Sequence, residues 1–299
     1  MTAWRSFSMI DSLLLFLWAN LTPQGTFRAY WDARDTLEDN NVFISLLFLD
    51  AVHPFRGRYA RLDSLADTVM AALLRHRPPG DMWRYWIDRW IPPDFDDISL
   101  AGVVLPKYGI SVDSQAILDS IEAYTVRRGG RRCVVMFKDE NSLRRRLCDC
   151  VVNVNVLRFN RDTSLCPFIR RCVRNPHSYT YLHPKAFMLY FLAHARREGS
   201  PTCGIDVEGE LRKFLSDTLS EMNALLAYTT ASILGVSAPE VEALERYLLD
   251  AVGEDGGMPM WNYFTVIEDE GGRYVFFGRT LPTILLLEGL LSSLPSGTH

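Results

Sequence analysis

Along most of this chain apolar residues recur at helical spacing, and helices of two kinds alternate. In the first kind a charged face opposes an apolar stripe: residues 61–76, 113–125, 165–173, 206–217 and 238–252, with the N-terminal segment as a sixth. In the second kind the residues are apolar nearly all round, as a helix covered on every side must be. These are 41–51 (NVFISLLFLDA), 94–105, 150–159 (CVVNVNVLRF), 182–196, 221–235 and 278–292. Stretches rich in Pro and Gly at 78–82, 127–132 and 253–259 read as loops. Only Cys133 to Phe137 and Tyr274 to Phe277 look strand-like, and each is too brief to build a sheet. The stretch 206–227 also reads as one long helix, which would change the helix count by one.

Six buried helices alternating with six amphipathic ones predict an all-α (α/α)6 toroid, with inner and outer rings, as one domain over 1–299. Inner helices in such a toroid run parallel, so their N-termini open at one mouth. The polar residues near those starts are Asp39, Asn40 and Asn41; Asp94, Asp96 and Asp97; Asp149, Asn153 and Asn155; His183; Glu221 and Asn223; Arg279 and Thr280. Trp90, Phe159, Tyr179, Tyr181, Trp261, Tyr263 and Phe276 lie near enough in sequence to line the same cavity.

One inner helix starts oddly. In IPPDFDDISLAG, residues 91–102, Pro92 and Pro93 break what precedes them, and three aspartates follow within four positions. Asp94 suits the N-cap, and Asp97 stands three residues on, at capping-box spacing; both acids suit the positive end of the helix dipole. Asp96 has no structural job left.

Composition narrows the field. Apolar residues make up 48% and charged residues 23% of 299, with a net charge of −4, an ordinary globular profile. No basic field exists to grip a phosphate backbone, so nucleic acid is excluded as a partner, and the Arg clusters at 127–132 and 144–146 read as solvated helix ends. The run LLLFLWANL is too short to span a bilayer, and without a clear cleavage site it reads as a packed helix rather than a signal peptide. The six cysteines form neither a disulfide framework nor paired CxxC knuckles, which predicts a reducing cytoplasm. Cys148 and Cys150 read as packed thiols, and His183 before Pro184 as a helix-start residue.

PDFDDISLA resembles the D-x-D-D-T-A motif of class II terpene cyclases, the squalene–hopene cyclase superfamily. DGGMPMW at 255–261 is similar to the end of that family's Q-x-x-x-G-x-W repeat, and RYVFFGRTLPTILLLEGL resembles its last inner helix and approach. The likeness runs from Asp35 to Leu291, with DFDD its specific core. It implies the α/α toroid that terpenoid cyclases share with protein prenyltransferases. It also implies a general acid in the middle aspartate, Asp96, held and polarised by Asp94 and Asp97. Ile98 stands where the family has threonine, the glutamine of the repeat is missing, and this chain is one toroid where relatives carry two or three helical domains.

The residues can support that chemistry. Three carboxyls in one turn cannot all ionise, burial also favours the protonated form, and a helix N-terminus stabilises the carboxylate left after proton transfer. Aromatic faces would shelter a carbocation. Asp39, Trp90, Asn153, Asn155, Phe159, Tyr179, Trp261, Tyr263 and Phe276 are the candidate substrate contacts, with Asn153, Asn155, His177 or Tyr179 steering proton loss or a quenching water. Protonation requires no cofactor and these residues form no metal site; Mg2+ enters only with a diphosphate-bearing substrate. The implied partner is a small hydrophobic isoprenoid, compatible with peripheral membrane contact and any oligomeric state. Two other readings stand beside it: an inverting glycosidase using Asp39 and Asp96, and a non-catalytic binding toroid whose acids only cap helices.

Overall fold

The computed structural model describes residues 3–31, 37–38, 40–88, 90–217, 219–267 and 273–294. The all-round apolar segments become the inner helices α2 (Val42–Val52), α4 (Phe95–Lys107), α7 (Cys150–Asn160), α9 (Pro184–Arg197), α11 (Glu221–Leu234) and α13 (Thr280–Ser293). Each packs on the next, and α13 packs back on α2, closing the ring. The amphipathic segments become α1 (Ala3–Ala19), α3 (Ala60–Arg75), α5 (Ser114–Ala123), α8 (Cys166–Arg174), α10 (Val207–Leu215) and α12 (Pro239–Asp250). Each lays its apolar stripe on an inner neighbour, α3 on α2, α5 on α4 and α8 on α7 among them. A short α6 (Glu140–Arg145) is additional. The fold is the (α/α)6 toroid that the alternation predicts.

Local chemistry sets the helix starts. Asn41, Asp94 and Asp149 cap α2, α4 and α7 through their side chains, and Pro184 opens α9 at a position that needs no N–H donor. All described residues of α2 are buried, as is α13 from Thr280 to Leu291. Each fully buried Leu, Ile or Phe contributes about 1.5–3 kcal/mol over its exposed state, so the ring itself is the core. Close approach of α4 and α7 depends on Gly102, where a Cβ would lie 2.5 Å from the Phe159 ring. The ambiguous stretch 206–227 is two helices, broken between Leu215 and Glu221.

Two expectations need correction. Both strand-like runs do build sheets. β3 (Thr125–Arg128) and β4 (Arg131–Val134) form a hairpin whose two linking residues, Gly129 and Gly130, both have positive φ (56° and 76°), as a type I′ turn demands. β6 (Arg273–Gly278) pairs with β5 (Trp261–Ile267) and with β1 (Tyr30–Trp31), which in turn pairs with β2 (Leu37–Glu38). The second correction concerns the cysteines, which are fully paired as Cys133–Cys148, Cys150–Cys172 and Cys166–Cys203. Cys148 and Cys150 belong to different bridges, so they are neither free thiols nor a metal pair, and cysteine usage no longer argues for a reducing compartment. Among the described residues no helix is long and apolar enough to cross a membrane.

Candidate active site

The start of α4 is pinned from both sides. Asp94 N–H donates to Trp83 O at 3.0 Å, Phe95 N–H to Met136 O at 3.0 Å, and Lys138 N–H to Pro93 O at 2.8 Å. These bonds hold the acidic turn between the 82–86 loop and the segment after β4. The Asp94 carboxylate caps the helix by accepting from Asp96 N–H at 2.8 Å. That cap is the one the sequence suggested.

Asp96 is 5% exposed and receives two side-chain donors. Asn155 Nδ2 donates to Oδ1 at 2.7 Å, and the Tyr181 hydroxyl donates to Oδ2. Burial pushes the Asp96 carboxyl up to about 6; Tyr181 and Asn155 oppose that rise, Asp149 adds to it, and Arg158 lowers it. Asp94 is driven well above the usual carboxylate range by burial and by the charge of Asp96, against the pull of the Asp96 N–H. The two acids titrate as a pair. Asp97, 1% exposed, faces the same space.

Tyr181 is placed by a relay from α7. Asp149, the N-cap, accepts from Val151 N–H (2.8 Å) and Val152 N–H (3.3 Å), and also from Ser178 Oγ (2.5 Å) and Tyr179 N–H (2.8 Å). Ser178 Oγ in turn accepts from Tyr181 N–H at 2.7 Å. One buried carboxylate thus caps the helix carrying Asn155 and folds the loop presenting Tyr181.

These groups open into a cavity that Asp94, Asp96 and Asp97 line. Its other walls are chiefly aromatic: Phe43, Tyr85, Trp86, Phe137, Tyr181 and Phe276. Tyr85 meets Phe276 edge-on at 5.5 Å, and Trp86 lies 6.1 Å from it. Phe43 begins α2, Asp94 begins α4, Tyr181 precedes α9 and Phe276 precedes α13. Inner-helix N-termini therefore share one mouth.

The other candidates from the sequence are distributed differently. Asn153 turns away from the cavity, its amide bonding Val134 N–H and C=O at 2.8 Å each, so it fastens the β3–β4 hairpin to α7. Phe159 wedges against Gly102 between α7 and α4. Tyr179 packs against Arg128 and His177 outside the cavity, and His177 lies against Cys150. Trp261 lines a separate depression with His183, and Tyr263 is buried against Gly278. Trp90 is 78% exposed and is not part of the wall, although Ile91 beside it is. Asp39 lies outside the described residues, and with it the Asp39–Asp96 pair. Of the substrate contacts named from the sequence, Phe276 lines the cavity and Asn155 reaches it through Asp96. Phe43, Tyr85, Trp86 and Thr180 carried no site signal in the sequence, Phe137 stood out only as strand-like, and Tyr181, expected as a wall residue, is also the partner of the acid. Tyr85 and Trp86 precede the DFDD turn, and their only sequence signal was aromatic density in WRYWIDRW.

Two clusters of metal-ligand residue types exist among the described residues. Cys150 and Cys172, beside His177, are consumed by their disulfide. Asp50 and Glu198 are each paired with Arg158 and Lys107, and the His194 ring lies between Asp50 and Glu288.

No family model matches this chain, and no curated protein matches it in sequence. Solved structures do match. The type II terpene cyclase MstE from Scytonema, in complex with geranylgeranyl dihydroxybenzoate, superposes with a TM-score of 0.73 at 14% identity, covering 96% of this chain and 97% of that one. A complex of MstE with merosterolic acid A, its product, gives 0.70 at 13% identity over 96% of both chains. A GH76A alpha-1,6-mannanase from Salegentibacter gives 0.55 at 8% identity over 96% and 98%. The chain thus has the (α/α)6 toroid fold of type II terpene cyclases, which the mannanase shares more distantly.

Proposed function

We propose that this chain is a class II terpene cyclase in which Asp96 starts cyclisation by protonating a terminal alkene or epoxide of a linear isoprenoid. The observation that carries the reading is the buried Asp96 carboxyl, held by Tyr181 and Asn155 at the wall of an aromatic cavity. In the first step the alkene π pair takes the Asp96 proton, giving a carbocation and a carboxylate. Two donors already aimed at Oδ1 and Oδ2 stabilise that carboxylate as it forms, with no reorganisation needed. Ring closures then move the charge along the chain, against the faces of Phe43, Trp86, Tyr85 and Phe276. Proton loss or water capture ends the sequence, and Asp96 regains its proton before the next turnover.

Asp94, its carboxyl pushed upward by burial and by the charge of Asp96, holds the Asp96 backbone by accepting its N–H. Asp97 completes the acidic wall. Protonation draws on no metal; Mg2+ is needed only where a diphosphate must be bound. A hydrophobic substrate fits the apolar lining and is consistent with uptake from a membrane surface. A glycosidase needs two carboxylates about 6.5–9.5 Å apart across a wet, polar cleft, whereas the cavity walls among the described residues are chiefly aromatic. The test is incubation of the purified protein with linear C15 to C30 isoprenoids, geranylgeranyl dihydroxybenzoate among them, with and without Mg2+. Cyclic products are expected; cleavage of mannan oligosaccharides with no cyclisation would overturn the reading.

A further inference from the structure

Opposite the mouth, the C-terminal ends of the inner helices enclose a buried ionic floor. Asp50 of α2 accepts from Lys107 Nζ at 2.6 Å and Arg158 Nη2 at 2.7 Å, and faces His194 Nδ1 at 3.2 Å. Glu198, just past α9, takes Lys107 Nζ at 2.5 Å and Arg158 Nη2 at 2.7 Å. Glu288 of α13 takes the Tyr190 hydroxyl at 2.7 Å and Arg197 Nη2 at 3.1 Å. The Arg158 and His194 side chains are fully buried. Arg158 holds Asp50 well below the usual carboxylate range despite burial, and Glu198 is lowered by the same guanidinium. The floor therefore stays charged, and a guanidinium fixed by two carboxylates cannot turn.

One arm of that guanidinium points the other way. Arg158 Nη1 donates to Asn155 Oδ1 at 3.3 Å, one turn earlier on α7. Arginine has donors only, so the side of the amide facing it must be the oxygen, and Nδ2 is left aimed at Asp96 Oδ1, 2.7 Å away. A free asparagine could present either end to the acid. We propose that Arg158 is a positioning residue for the acid: it locks the Asn155 amide in its donating orientation and so couples the charged floor of the barrel to the carboxyl at its mouth. The inference deepens the cyclase reading and rests on it for its kinetic consequence.

Several groups bear on the titration of Asp96 together: Asp94 at its own helix start, Asp149, Asn155 and Arg158 from α7, and Tyr181 from the approach to α9, while Asp97 lines the same cavity. α2 presents Phe43. Among them Arg158 alone acts both as a charge and through an intervening amide. The two routes separate in a double-mutant cycle. Arg158→Lys keeps the charge and the pairing to Asp50 and Glu198 but lacks the fork that reaches Asn155. Asn155→Leu removes the relay at nearly constant volume and leaves Arg158 paired to Asp50 and Glu198 and Asp96 bonded to Tyr181.

The Asp96 midpoint is read by infrared pH titration of the carboxyl band that Asp96→Asn abolishes, which requires no substrate. Arg158→Lys should raise that midpoint by about 0.5–1 pH unit in the wild-type background and leave it unmoved in the Asn155→Leu background. Equal shifts in both backgrounds would assign Arg158 a through-space charge effect and overturn the proposal, as would no shift in either. A purely structural role would lower the melting temperature without moving the midpoint. If the midpoint behaves as expected while no isoprenoid is cyclised, the positioning role stands and the cyclase reading falls. If isoprenoids are cyclised and the midpoint does not move, the reverse holds.

Discussion

Asn155 and Asp96 stand 59 positions apart in the chain, and the Asn155 amide donates to the Asp96 carboxylate at 2.7 Å. The bond crosses from α7 to α4 at the mouth of the barrel, and with the Tyr181 hydroxyl it leaves neither Asp96 oxygen without a donor. Such an acid is strong for its burial, because its conjugate base is already solvated by protein.

The balance has a pH signature. With Asp96 at about 6, the acid form dominates below that value. The rate should level off below about pH 6 and fall close to tenfold per unit above it, measured as kcat/KM across pH 5 to 9. A rate that rises through pH 7 would point to a base instead.

Stability should move the opposite way to function when the acid is neutralised. Burial raises Asp96 from the ordinary 3.8 to about 6 in the folded chain, so folding takes up a proton between those values. Its contribution is fully favourable below about pH 4 and is lost as pH rises through 6. Asp96→Asn removes the cost of burying the charge. At pH 8 the variant should be as stable as wild type or more so, by about 1–3 kcal/mol in urea, and this advantage should vanish near pH 4.

Tyr181→Phe deletes one of the two donors while keeping the ring. A hydrogen bond to a charged acceptor is worth about 1.5–3 kcal/mol, so turnover should drop roughly 10- to 100-fold. The pH limb should also move upward, as the carboxylate loses its support. An unchanged limb would show that the hydroxyl only packs.

Much of this architecture was legible in the chain, for a physical reason. Inner helices are apolar all round and outer ones striped, so period and amphipathicity sorted the twelve helices into rings. The surplus acid at Asp96 was visible because capping explained its neighbour Asp94 and not Asp96 itself. Partners were not legible. Asn153 and Asn155 are two residues apart, about 200° around the helix, so only one can face the mouth, and the sequence does not say which. Arg158 carried no signal of its own in CVVNVNVLRF, because its role depends on Asp50 from 108 positions away. Cysteine pairing is set by three-dimensional proximity, here across separations of 15, 22 and 37 residues, and spacing alone cannot supply it. The strand-like run at 274–277 was visible but the sheet it joins was not, since β6 finds its partner β1 at the far end of the chain.

Two of the disulfides flank Asp149, Cys133–Cys148 before it and Cys150–Cys172 after it. Replacing Cys150 and Cys172 together with Ala should cost about 2–4 kcal/mol by denaturant titration. Because Asp149 folds the loop that presents Tyr181, turnover should fall as well. Full activity after reduction would separate the bridges from the site.

The central claim is that the proton on Asp96 goes to substrate carbon, and turnover in D2O tests it most directly. Asp96 exchanges with solvent between turnovers, so each cyclic product should carry one deuterium at the carbon protonated first, read by mass spectrometry and NMR. Asp96→Asn, folded to the same melting temperature or higher, should yield no labelled product. A cyclic product without solvent deuterium at that carbon, or Asp96→Asn turning over at the wild-type rate, would contradict the account.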